Sequence, residues 1–134
     1  MEEFTNYAFF LEKIDSPIFC SYRLDQDKNK IEPLIDRDHL YWMVVESLYP
    51  TPIDRARAII SEASKTRETV WGYSCHTPEE SIILYALEMG ASVVEAHFTL
   101  DHEQSEFRDH KVSFDQEELT SLINQMKQYE PTRH

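Results

Sequence analysis

Four short apolar runs, starting near Pro17, Tyr41, Val70 and Ser92, alternate with segments whose apolar residues recur at helical spacing. A strand carries its apolar residues in a short run, whereas an amphipathic helix carries them three or four apart. Their alternation predicts an α/β fold, a parallel sheet joined by right-handed crossovers. The predicted strands are Pro17–Ser21, His39–Val45, Val70–Tyr73 and Ala91–Phe98. A first helix is expected over Tyr7–Ile14, capped by Thr5 or Asn6. Thr51 followed by Pro52 reads as a helix start, with Ile53, Ala56, Ile59, Ile60 and Ala63 as the apolar stripe to about Lys65. Thr77, Pro78 and Glu80 read as cap, first turn and capping box of the next helix. That helix carries Ile82, Ile83, Ala86, Leu87 and Met89 and ends at a left-handed Gly90. Asp115 caps a last helix with Leu119, Leu122, Ile123 and Met126 on one face. Tyr22–Arg37 is expected to be a loop with at most a short helix, and Asp101–Arg108 a charged loop.

Four βα units are half of an eightfold barrel, which takes about 250 residues. The 134-residue chain is therefore expected to form a half-barrel over residues 1–130, followed by a tail at 131–134. A formal charge of −12 excludes nucleic acid and anionic membrane as partners, because both need basic patches. Two cysteines, Cys20 and Cys75, are too few for a disulfide framework. There is no leader-like start and no run of transmembrane length, so a cytoplasmic protein is expected. Two glycines, Gly72 and Gly90, exclude a dinucleotide fingerprint and a P-loop.

The polar residues Ser21, Ser47, Tyr49, Ser74, His76 and His97 all fall at the C-terminal ends of the predicted strands. Parallel α/β proteins place their active sites on that rim. A βαβ unit would bring the strand ends carrying His76 and His97 together. By residue type alone they are either metal ligands or a loop histidine and a satisfied strand end. Neutral imidazole suits manganese, iron, cobalt or zinc better than magnesium.

Three ordered blocks carry a resemblance: Gly72-Tyr73-Ser74-Cys75-His76-Thr77, Gly90 through Asp101 (GASVVEAHFTLD), and Asp109-His110-Lys111. They resemble the GYSDHT, GASVIEKHFTLD and PGPDHK motifs of the sialic acid synthase family, which includes legionaminic and pseudaminic acid synthases. Glu3 through Tyr7, Pro17–Ser21 and Tyr49-Pro50-Thr51-Pro52 also resemble family segments, those around barrel strands four, five and six. The resemblance implies the C-terminal half of a TIM barrel. It implies enzymes that condense phosphoenolpyruvate with an N-acylated hexosamine to form a nonulosonic acid.

By resemblance, His76 and His97 match metal ligands, for manganese by preference, with cobalt, zinc or magnesium as alternatives. Ser21, Ser74 and Tyr49 match substrate-binding positions, and Glu3 and Asp109 match carboxylates near the sugar that could handle a proton. Several positions depart from the pattern. Cys75 stands where the family has Asp or Gly, leaving it either as filler or as a third, softer ligand. Ser105–Arg108 replaces Pro-Gly-Pro, and Val44-Val45-Glu46-Ser47 replaces an HCTS-like strand end. The family's first four βα units, with their phosphate-binding lysines, have no counterpart, and Lys111 is the cation expected near the rim. The chain is thus expected to be inactive alone and to work as a homodimer or with another half-barrel. The alternative is a non-catalytic sugar- or phosphoenolpyruvate-binding or regulatory module.

Overall fold

A computed structural model describes residues 13–25, 39–65, 70–103 and 106–129. Its elements are β1 (Ile18–Tyr22), β2 (Leu40–Val45), α1 (Ile53–Ser64), β3 (Trp71–Cys75), α2 (Glu80–Glu88), β4 (Val93–Phe98), β5 (Ser113–Phe114) and α3 (Gln116–Met126). Short 3-10 turns cover Arg108–Val112 and Lys127–Tyr129. The strands pair in parallel, in the order β1-β2-β3-β4-β5. The α/β class and the four predicted strands are observed, each within two residues at either end. The fifth strand is new. It pairs with His97 and Phe98, so the outer edge of β4 is partly covered.

Alternation along the strands separates two faces. Trp71, Tyr73 and Cys75 of β3 join Ala56, Ile59, Ile60 and Ala63 of α1 and Ile82, Ile83 and Ala86 of α2 in the main core. Burying such side chains stabilises the fold by about 1.5–3 kcal/mol each for the larger ones. The intervening residues Gly72 and Ser74, with His76 just beyond, lie on the other face. There the register runs Val45↔Ser74↔Glu95, which places His76 beside His97 one step further on.

Gly72 allows β3 and β4 to approach. A Cβ there would lie 2.6 Å from the Val93 carbonyl oxygen and 2.9 Å from Met43 Cγ. The carbonyl belongs to a paired strand and cannot swing aside. Gly72→Ala is therefore expected to destabilise the chain by about 1–3 kcal/mol, the usual cost of overpacking. Urea denaturation would read this as a lower midpoint at unchanged slope; an unchanged midpoint would contradict it.

The helix ends separate local signals from tertiary ones. Gly90 has φ 96°, and the Gly90 and Ala91 amides donate to the Leu87 and Ala86 carbonyls, the paired bonds of a glycine-terminated helix. Asp115 accepts from the Glu117 and Glu118 amides while the Glu118 side chain accepts from the Asp115 amide, a complete capping box.

Thr51 and Thr77, in contrast, do not cap. The helices begin at Ile53 and Glu80, and neither has a side-chain cap. The Thr77 hydroxyl instead donates to the Thr51 carbonyl, and the Thr51 hydroxyl donates to the Leu48 carbonyl. Both threonines are buried, so their hydroxyls satisfy loop carbonyls that water cannot reach. At the N-terminus, Lys13 and Ile14 are not helical. The rest of the predicted first helix lies outside the described residues, as do Glu3, most of Tyr22–Arg37 and residues 131–134.

Candidate metal and substrate site

The C-terminal ends of β2, β3 and β4 bring Glu46, Tyr49, Ser74, His76, Glu95 and His97 to one rim. The His76 and His97 ring centroids are 5.3 Å apart. His76 is buried and held at both nitrogens. Its Nδ1 lies 2.8 Å from the Glu46 carbonyl, and its Nε2 lies 3.0 Å from the Tyr49 hydroxyl. A carbonyl only accepts, so Nδ1 carries the proton and the Nε2 lone pair accepts from Tyr49. The Tyr49 ring stacks on His76 with centroids 4.1 Å apart.

Glu46 is fixed in turn. Its carboxylate pairs with Arg55 Nε at 2.7 Å and accepts from the Ser47 amide. The Thr51 amide donates to the His76 carbonyl, which ties the β2–α1 turn to the end of β3. Burial pushes the His76 pKa below the ordinary histidine value. The Glu46 carbonyl opposes that shift and His97 adds to it, while Glu95 and Asp109 oppose it. The ring is thus neutral at neutral pH, with one N–H fixed on the Glu46 carbonyl and one lone pair that accepts from Tyr49.

That donor set fits a divalent metal. Ligating histidines characteristically donate the second ring nitrogen to a carbonyl or carboxylate, which fixes the tautomer. The ring separation is also within reach of two imidazoles sharing an ion at about 2.1 Å. Cys75 is not a third ligand. It points into the helix-side core, donates to the Thr77 carbonyl at 3.2 Å, and burial pushes its pKa up to about 11. Such a thiol is inert.

A second group with metal-binding chemistry, His102, Asp115 and Glu118, gathers within 4.8 Å at the start of α3. It is on the surface, and the α3 capping box already uses both of its carboxylates.

The other predicted residues are placed less uniformly. The Ser74 hydroxyl donates to Glu95 Oε1 at 2.6 Å, which puts a carboxylate where the resemblance expects a phosphate. Ser21 shares that face but is exposed, in register with Met43 and Gly72, one step below Ser74. Asp109 lies in the 3-10 turn, where its carbonyl accepts from the Ser113 hydroxyl, and its charge acts on His76.

Glu46, Glu95 and Arg108 were not among the predicted site residues. The Arg108 guanidinium carbon lies 4.5 Å from the Tyr49 ring centroid, which brings to the rim a cation other than the expected Lys111. The position of Glu95, two before His97 on an alternating strand, was the available signal for it.

A model of the NeuB family matches residues 25–133. This chain belongs to the NeuB family. A curated relative, the N,N'-diacetyllegionaminic acid synthase of Campylobacter jejuni, is 38% identical over 81 residues, covering 60% of this chain and 24% of its own. Two solved structures share the fold. The putative spore coat polysaccharide biosynthesis protein E of Chromobacterium violaceum matches with TM-score 0.71 at 23% identity, over 98% of this chain and 43% of that one. The N-acetylneuraminic acid synthetase of Leptospira borgpetersenii, solved with citrate, matches with TM-score 0.70 at 24% identity, over 84% of this chain and 41% of that one.

The chain thus spans about a quarter of its curated NeuB-family relative and less than half of the solved ones. Its sheet is part of the TIM-barrel-type fold of these synthases. Among the described residues, no helix is long and apolar enough to cross a membrane.

Proposed function

We propose that this chain is the metal-bearing part of a NeuB-type synthase, which joins phosphoenolpyruvate to an N-acylated hexosamine. The observation that carries this reading is His76, with Nδ1–H fixed on the Glu46 carbonyl and its ring centroid 5.3 Å from that of His97. His76 and His97 would hold the ion, manganese by preference, with cobalt, zinc or magnesium as alternatives. When bound, it supplies Lewis acidity to the aldehyde oxygen of the sugar. Tyr49 leaves His76 Nε2 as the site fills and turns its hydroxyl toward substrate. Asp109, placed near His76, holds or moves a proton for the attack of the enol carbon and the later addition of water. Ser21 and Ser74 donate to the phosphate, which requires Ser74 to release Glu95. Glu3, outside the described residues, is the second carboxylate of the reading. The open face and the β1 edge, where Phe19 is 52% exposed, are covered by a second copy or by another half-barrel.

Manganese should raise the melting temperature of the wild-type chain by mass action. His97→Ala should remove that rise while the circular dichroism spectrum stays unchanged. An equal rise in both proteins would refute the site. The Ser74–Glu95 bond favours a second reading, a binding module without turnover, because an anion already sits beside the hydroxyl that a phosphate needs.

A further inference from the structure

We propose that Arg108 is the anion-binding group of this site and that it takes the carboxylate or phosphate of the substrate; the assignment rests on the NeuB-type reading above. The chain carries a formal charge of −12, and the negative charges of Glu95 and Asp109 act on His76. An anionic substrate therefore needs a local cation with free donors.

Most cations of the described residues are committed elsewhere. Arg55 is paired with Glu46, Arg23 with Asp25 and Lys65 with Glu62. Arg57 lies over Tyr85, away from the rim, and Lys127 donates to Asn124. Arg108 is different. Its guanidinium carbon lies over the Tyr49 ring, which stacks on His76, and among the described residues no carboxylate pairs with it. A cation–π contact uses no N–H–acceptor pair, so a guanidinium over a ring keeps donors to meet a carboxylate or phosphate in two parallel bonds.

The backbone beneath Arg108 is anchored on both sides. The His110 amide donates to the Phe107 carbonyl, His110 Nδ1 lies 2.8 Å from the Thr99 hydroxyl, and the Ser113 hydroxyl donates to the Asp109 carbonyl. The Thr99 hydroxyl donates to the Asp101 carbonyl, so His110 Nδ1 is the donor in that contact. The turn therefore delivers Arg108 to the rim at a fixed place. Asp109 follows it on the same turn, so one short segment supplies both an anion-binding cation and a carboxylate to the site.

The test is calorimetric titration of the manganese-loaded chain with phosphoenolpyruvate, in wild type, Arg108→Gln and Arg108→Lys. Arg108 is exposed, and thermal melts of the variants verify that they fold. Arg108→Gln should weaken binding about tenfold or more, the usual loss for a charged hydrogen bond. Arg108→Lys should recover part of it, since the charge is kept and the fork is lost. Separate titrations with inorganic phosphate and with pyruvate identify the group held, by which one depends on Arg108. Equal affinity in wild type and Arg108→Gln overturns the assignment and leaves the NeuB-type reading standing. A wild-type chain that binds none of the three ligands overturns that reading and this assignment with it.

Discussion

Incubated with phosphoenolpyruvate, N-acetylmannosamine and manganese, the chain alone is expected to release no phosphate and form no nonulosonic acid. Phosphoenolpyruvate carries close to three negative charges at neutral pH, and the rate would come from groups that stabilise charge as it develops. Among the described residues, the groups placed at the site are the His76–His97 pair, Arg108 and two serines, one of which is bonded to Glu95. The chain spans about a quarter of its curated relative and less than half of the solved ones. Co-expression with the first half-barrel of a related synthase should give a co-purifying complex. Turnover should return with it and should be lost again in His76→Ala. Steady phosphate release by the isolated chain, coupled to product and abolished by His76→Ala, would contradict this and make it a minimal synthase.

Manganese affinity is expected to be flat from about pH 8 down to about 6.5, the reference histidine value, and to fall below it by about tenfold per pH unit once His76 protonates. The sign follows from the burial of His76, which depresses its folded pKa. Protons therefore compete for Nε2 only at a pH below the ordinary value, so the plateau should extend past it. The same depression acts on stability without metal. The unfolded chain takes up the proton first, so the His76 contribution is fully present above about 6.5 and is lost as pH falls through the folded pKa. Calorimetric titration across this range, with His76→Ala as comparison, would show both effects. Affinity that already declines between pH 8 and 7 would contradict a buried neutral ligand.

The parts of this molecule that were legible in the sequence are those written within a few residues. Gly90 ends its helix and Asp115 caps its helix through bonds two to five residues away, and both roles follow from residue type. The approach of His76 to His97 was legible because a parallel βαβ unit aligns the strand ends whatever the details of the register. Thr51 and Thr77 were misread because a buried threonine serves a loop carbonyl as readily as a cap, and their sites differ only in tertiary surroundings.

β5 is two residues long, too short for any periodicity. The Tyr49–His76 and Ser74–Glu95 bonds span 27 and 21 residues, and nothing local announces them. Arg108 was hidden because it stands where the family pattern has proline, so the resemblance marked the position only as a departure.

The central claim is that His76 and His97 form the metal site, and manganese titration at pH 7.5 tests it against the other cluster of suitable donors, His102, Asp115 and Glu118. Wild type and His102→Ala should each bind one ion per chain with equal affinity, while the His76→Ala/His97→Ala double variant, folded by circular dichroism, should bind none. Binding that survives in the double variant and disappears in His102→Ala would place the metal at the start of α3 and contradict the account.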